Sequence, residues 1–413
     1  MRSLRDDFFK HLCPTSDNPI GLQIDHARGS YIYTKDKGPD SCEKKYLDFI
    51  SGIAVASIGH TPPAVIKAIC QQAKKYLHVM VYGEYIQEPQ VRLAAKLASL
   101  LPDSLSSVYF TNSGTEAVEG SLKLAKKITG RKRLIGFENS YHGDTHGSLS
   151  VTGKAVYRKP FYPLLPNASF LPFNVTKTLM KIDQTVAAVI TEPIQGEGGM
   201  IIPSQQFLQA LRARTREVGA LLILDEAQTG LGRTGKNFAM EHFNIVPDIL
   251  VLAKSLGGGM PLGAFVSSPE IMKTLSNNPP LSHVTTFGGH PVSCAAGLAS
   301  LNIVLKKNLV SRAKKMGDTL LMSLTGLAQQ YPVISEARGL GLMIGLEFKS
   351  AEPCMRFVQK AREYGLLLGW TLHTNRVVRI APPFTLSMKE LKEGLAIMRR
   401  VLENLGSLKI SMG

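Results

Sequence analysis

The chain has 413 residues, 44% hydrophobic and 19% charged, with 48 Lys+Arg against 32 Asp+Glu for a net charge of +16. At about 100–200 residues per domain the length predicts two or three domains; the apolar content excludes a disordered chain, and no run approaches the ~20 apolar residues that span a bilayer. The basic pairs (Lys44-Lys45, Lys74-Lys75, Lys126-Lys127, Lys306-Lys307, Lys314-Lys315) are scattered, so solvated helix faces are expected and neither nucleic acid nor membrane is an expected partner. The first 50 or so residues read as turn-rich. Helical periodicity follows over 63–76, 88–100, 115–128 and 204–218. Between these lie four apolar runs, 134–137, 186–190, 221–224 and 249–252. Apolar on both faces, they predict central strands of a mostly parallel α/β sheet with helices on both faces. Beyond Pro291 come helical patterns at 291–305 and 309–329, short strands near 341–348 and 376–380, and a last helix over 388–404. The expected division is a large domain over 61–290, a smaller α+β domain over 291–413, and an N-terminal segment, 1–60, packing on the small one.

Each apolar run stops at reactive or polar residues. The first leads to Tyr141-His142-Gly143, and the second to Thr191-Glu192-Pro193 and then Gln195-Gly196-Glu197. The third leads to Asp225-Glu226-Ala227-Gln228, the fourth to Ala253-Lys254-Ser255. Ligands of open parallel sheets bind outside the carboxyl ends of the strands, so the four endings predict one site. Asn112-Ser113-Gly114-Thr115 opens onto a helix at Glu116. The unpaired N–H groups and positive dipole of a helix start favour an anion; Ser113 and Thr115 add hydroxyls, and Gly114 lets backbone come close. An ordinary N-cap is the alternative. A lysine ending a buried strand is driven below its usual pKa by desolvation and becomes a nucleophile toward aldehydes. A buried aspartate facing a pyridine nitrogen would keep that ring protonated, an attraction of about 4 kcal/mol at ~4 Å and an effective dielectric of about 20. Phosphate, protonated pyridine and Schiff-base lysine together describe pyridoxal 5′-phosphate (PLP).

The constellation resembles the class III (ω-amino acid) aminotransferases, of PLP fold type I, from about residue 20 to residue 402. The resemblance implies a phosphate loop at Ser113, Gly114 and Thr115 and a ring-stacking segment at Tyr141 and His142, with Tyr141 on the pyridine face. It implies that Asp225 holds the pyridine nitrogen, that Gln228 approaches the 3′-oxygen, and that Lys254 is the Schiff-base lysine and proton shuttle. Thr285-Thr286-Phe287-Gly288-Gly289-His290 is similar to a segment reaching the neighbouring subunit's phosphate through Thr286, with His290 replacing a common Asn; a homodimer follows. In Val377-Val378-Arg379-Ile380 the resemblance gives Arg379 the α-carboxylate of 2-oxoglutarate or glutamate, which a guanidinium matches bidentately. Glu197 would pair with Arg379 when the other substrate is bound, and Glu192 would hydrogen-bond within the cofactor pocket. Ping-pong transfer from a small amine donor to a 2-oxo acid is implied.

For the donor, residues 152–166 and the stretches around Thr286 and Arg379 are similar to putrescine aminotransferases. Asp144 stands where many acyl-ornithine, ornithine and 4-aminobutyrate relatives have arginine after the H-G dipeptide. An acid there disfavours a distal carboxylate and favours a distal ammonium; a turn cap is its other reading. A diamine or ornithine-like donor with 2-oxoglutarate as acceptor is therefore expected. Acylornithine or 4-aminobutyrate transamination, and an aminomutase or decarboxylase of the same fold, are the alternatives.

Gly230-Leu231-Gly232-Arg233-Thr234-Gly235 matches G-x-G-x-x-G but does not join a strand directly to a long helix, so a glycine-rich turn under the cofactor is expected instead of a dinucleotide site. Gly143 and Gly147 argue against the helix that a His142/His146 metal pair needs, and no metal is expected. The five cysteines (Cys13, Cys42, Cys70, Cys294, Cys354) form no C-x-x-C, which fits free thiols in a reducing compartment. The N-terminal residues lack an apolar signal core, and a cytoplasmic location is expected.

Overall fold

The computed structural model of the chain describes residues 3–17, 19–37 and 43–407. After a short helix, Leu4–His11, come three strands, β1 (Ile24–Arg28), β2 (Tyr31–Lys37) and β3 (Glu43–Asp48). This corrects the turn-rich expectation. Charged residues interrupt each of them and β1 is largely exposed, so they lack the doubly apolar runs that mark buried strands.

Seven strands then build the central sheet: β4 (Ser107–Thr111), β5 (Arg133–Phe137), β6 (Ala168–Leu171), β7 (Val186–Thr191), β8 (Leu221–Asp225), β9 (Ile249–Leu252) and β10 (Gly263–Ser267). Their order is β4-β10-β9-β8-β7-β5-β6. β5 to β9 pair in parallel with their neighbours, while β10 runs antiparallel to β9 and β4. Every residue of β7 and β9 is buried, as expected for strands covered on both faces. On one face Leu222, Leu224, Leu250 and Leu252 share a core with Leu93 and Leu97 of the helix Glu88–Ala98 and Phe207 and Leu211 of the helix Gln205–Val218. On the other, Ile223, Ile249 and Val251 pack with Val118 and Leu122 of the helix Gly114–Thr129. Because these strands are parallel, the chain after β5, β7, β8 and β9 emerges at one edge.

The last strands are β11 (Ile334–Leu340), β12 (Met343–Phe348), β13 (Leu366–Leu367), β14 (Gly369–Thr371) and β15 (Thr374–Ile380). Four form the sheet β11-β12-β15-β14, and β13 pairs in parallel with β3. Phe49, Leu320, Phe348, Phe357, Val378 and Met398 belong to their shared core. The helix Pro291–Lys306 serves both cores, giving Cys294 and Leu301 to the first and Ala296 and Val304 to the second.

Residues 230–235 do form a glycine turn, with Gly232 and Gly235 at φ +98° and +84°. It lies between the cores, directly after Thr229 of the cleft lining. Its Arg233 is fully buried and donates to the carbonyls of Leu342 (3.0 Å) and Pro382 (2.7 Å) and to Ser57 Oγ (2.9 Å). Cys13, Cys70, Cys294 and Cys354 are free thiols; Cys42 lies outside the described residues. Among the described residues no helix is long and apolar enough to cross a membrane.

Candidate active site

A cleft of about 700 Å³ opens at the carboxyl edge of the central sheet. Ser113, Gly114 and Thr115 line it from the helix start, Tyr141, His142 and Asp144 from the loop after β5, and Glu192 and Glu197 from the loop after β7. Asp225 ends β8, Gln228 comes from the chain after it, and Lys254 follows β9. Arg379 joins through Glu197. Thr286 is exposed and does not line this chain's cleft.

At one end lies the start of the helix Gly114–Thr129. Ser113 is its N-cap, the Oγ accepting from Glu116 N at 3.3 Å. Thr115 Oγ1 lies 2.7 Å from both Thr145 Oγ1 and Ser148 Oγ. The Thr115 hydroxyl is thus engaged within the protein, whereas Ser113 Oγ only accepts in its cap and keeps its O–H as a donor, so the helix start presents that hydroxyl and its first-turn N–H groups to an anion. A Cβ on Gly114 would lie 3.2 Å from Ala253 Cβ, so glycine keeps room between this loop and the Lys254 segment.

At the centre, buried Asp225 accepts from His142 Nδ1 at 2.8 Å and from Ala227 N at 3.0 Å. A carboxylate only accepts, so His142 carries its proton on Nδ1, and its buried Nε2 has no partner among the described residues. Gln228 Oε1 is likewise buried and unpartnered. Lys254 sits in the left-handed region at φ 49°, a strained placement for a side chain of this size and typical of functional sites. Desolvation holds its ammonium below the usual lysine pKa, against the pull of Asp225 and Glu197. The Glu192 oxygens accept from Tyr141 N (3.0 Å) and Gly196 N (2.9 Å). It therefore ties two cleft loops together, and burial pushes its pKa up to about 7. Tyr141 Oη donates to Asp144 at 2.8 Å; burial first, then that carboxylate, raises the tyrosine's pKa. Among the described residues Asp144 caps no backbone N–H.

At the far end, Glu197 Oε2 meets Arg379 Nη2 and also accepts from Leu372 N at 2.7 Å. The Arg379 Nε is buried and unpartnered among the described residues. Sequence patterns did not reveal the Leu372 amide, since any residue type supplies a backbone N–H. Val55, Met260 and Leu262 of the cleft wall were equally hidden, because an apolar wall residue reads like core. Trp370 is half-exposed, with its carbonyl 3.4 Å from Arg379 Nη2.

The donor set suits PLP. A helix start offers N–H groups for a phosphate, a buried carboxylate pairs with no cation other than histidine among the described residues, and a desolvated lysine stands in the same cleft.

Known proteins agree. The chain resembles a solved transaminase from the marine bacterium Virgibacillus (TM-score 0.90, 27% identity, 98% of this chain and 100% of that one). An ornithine aminotransferase from Toxoplasma gondii ME49 matches with TM-score 0.88 and 29% identity over 98% of this chain and 96% of that one. An amine transaminase from an uncultivated Pseudomonas species, solved in its PLP-bound form, matches with TM-score 0.87 and 29% identity over 96% and 98%. Residues 13–402 match the family described as aminotransferase class-III. With nearly its whole length accounted for, this chain belongs to the class-III aminotransferases and is a PLP-dependent transaminase of fold type I.

Proposed function

We propose that the enzyme moves the ω-amino group of a diamine or ornithine-like donor to 2-oxoglutarate by a ping-pong cycle, as a homodimer. The observation that carries the donor assignment is Asp144: an exposed carboxylate of the cleft, held by the Tyr141 hydroxyl and forming no ion pair among the described residues. At ~5 Å a carboxylate attracts a distal ammonium, and repels a distal carboxylate, by about 1–3 kcal/mol across effective dielectrics of about 80 to 20.

When bound, PLP supplies an electrophilic carbonyl and an electron-withdrawing pyridinium ring. In this reading the N–H groups after Ser113 hold the phosphate, Tyr141 covers the ring face, and Gln228 Nε2 meets the 3′-oxygen. Asp225, oriented by His142, holds the ring nitrogen. Lys254 Nζ, whose charged form burial disfavours, moves the proton to and from the substrate carbon. Glu197 covers Arg379 while the amine donor is bound and yields it to the α-carboxylate of the keto acid. The exposure of Thr286 supports its service to a partner subunit's phosphate. The two cores support a division near residue 290 between a large cofactor domain (61–290) and a small one (291–413), with segment 1–60 on the latter through β3 and β13.

Steady-state kinetics with putrescine, ornithine, N-acetylornithine and 4-aminobutyrate, each with 2-oxoglutarate, test the donor. Putrescine or ornithine should exceed 4-aminobutyrate at least tenfold in kcat/KM. A preference for 4-aminobutyrate refutes the assignment, and turnover that persists without any keto acid points to a mutase.

A further inference from the structure

We infer that the backbone N–H of Leu372, held in place by Tyr157, is the second donor of the carboxylate subsite that Arg379 forms when Glu197 withdraws. This rests on the Glu197–Arg379 exchange proposed above and names a component of it. One oxygen, Glu197 Oε2, meets both Arg379 Nη2 and Leu372 N. Nη2 and Nε share one edge of the guanidinium, and the Nε of that edge is buried and unpartnered. The closed arrangement is thus monodentate on a fork built for two oxygens. An incoming carboxylate that spans Nε and Nη2 and also accepts from Leu372 N satisfies all three donors. Glu197 can then leave without stranding a buried N–H, which is what makes the exchange reversible.

The Leu372–His373 peptide, which directly follows the Thr371–Leu372 unit carrying that N–H, is fixed independently of the Glu197 side chain. Tyr157 Oη donates to Leu372 O at 2.7 Å, and His373 N donates to the Glu197 backbone carbonyl at 3.0 Å. His373 Nδ1 meets Asn139 O at 2.9 Å, and its ring stacks on Tyr157 with centroids 5.2 Å apart. A moving Glu197 side chain leaves each of these contacts in place, so the N–H stays aimed. Tyr157 is accordingly a positioning residue for the keto-acid half of the cycle. Burial, and after it Glu197, raises the tyrosine's pKa, which keeps the hydroxyl a donor.

The test is Tyr157→Phe in the PLP-loaded enzyme, with Arg379→Lys beside it. Acceptors are 2-oxoglutarate and butanal, an aldehyde without a carboxylate; glutarate affinity is measured by calorimetry as a second readout. For Y157F we expect the KM for 2-oxoglutarate and the Kd for glutarate to rise about 5- to 10-fold, with butanal kinetics unchanged within twofold. A general packing defect would slow both acceptors alike, and that result overturns the proposal. So does an unchanged 2-oxoglutarate KM in Y157F while R379K raises it. If R379K also leaves that KM unchanged, the Arg379 assignment itself fails and the Leu372 subsite falls with it.

Discussion

Asp225 shows what a single residue contributes here. It lies at the end of β8, where the chain leaves the sheet, and it is buried against His142, whose Nδ1–H fixes one carboxylate oxygen. In the role proposed above it holds a pyridinium, so replacing it with an isosteric amide removes that attraction and keeps the shape. At ~4 Å and an effective dielectric of about 20 that attraction is about 4 kcal/mol, or about three orders of magnitude in rate. Asp225→Asn should therefore fold, bind PLP and lose about a thousandfold in kcat with any donor; a loss under tenfold in steady-state assays would contradict the role. Residue types of this kind were legible in the sequence because Lys254, Asp225 and Tyr141 each punctuate an apolar run. Their partners were not. The Thr115 hydroxyl is taken by Thr145 and Ser148, and Glu192 binds backbone N–H groups. Such pairings depend on loop paths that periodicity does not encode.

At the scale of elements, β5, β7, β8 and β9 were legible because burial on both faces leaves an uninterrupted apolar run. β4, β6 and β10 escaped because they are short or rich in small and polar residues, and β1 to β3 because charged residues interrupt them. A more unusual element is the turn Ser51–Ala54, where Ser51, Gly52, Ile53 and Ala54 have φ of 52°, 59°, 63° and 61°. Left-handed backbone costs non-glycine residues about 1–2 kcal/mol each. Asp48 holds it, one oxygen accepting from Ile50 N (2.7 Å) and Ser51 N (3.0 Å) and the other from His60 Nε2 (2.8 Å). The next residue, Val55, lines the cleft, so strain stored in the turn shapes the wall of the site. Ile53 is 48% exposed and Ile66, on the helix Pro63–Lys75, 41%. Ile53→Gly trades about 1 kcal/mol of burial and about 0.5–1 kcal/mol of chain entropy for relief of similar size, and should be neutral within about 1 kcal/mol. Ile66→Gly loses the same terms without relief and should cost about 2 kcal/mol. Denaturant unfolding of both variants compares them, and equal losses would show that the turn holds no strain.

Across the whole molecule, the two cores are less separable than a boundary at residue 290 implies, since the helix Pro291–Lys306 and the Arg233 fork belong to both. Such sharing is invisible in a sequence, where one apolar face reads like another. Global stability also registers carboxylates buried for positioning. Glu226 accepts from Ala239 N (2.6 Å), Met240 N (2.7 Å) and Thr229 Oγ1 (3.2 Å), stitching the chain after β8 to the turn Ala239–His242. Burial outweighs these donors and pushes its pKa from 4.5 up to about 7. The folded state then binds a proton more tightly than the unfolded chain, so this residue's contribution to stability is fullest below about pH 4.5 and is lost as pH rises toward 7. A shift of that size corresponds to about 3 kcal/mol. Glu192, also at about 7, acts in the same direction. Glu226→Gln cannot titrate, and its amide N–H₂ would face a backbone donor, so it should be less stable than the parent at acid pH. Its decisive signature is the slope: between pH 4.5 and 7 the parent should lose about 3 kcal/mol more than E226Q in denaturant unfolding. Parallel pH profiles for the two proteins would mean that Glu226 ionises as an ordinary carboxylate, held charged by its three donors.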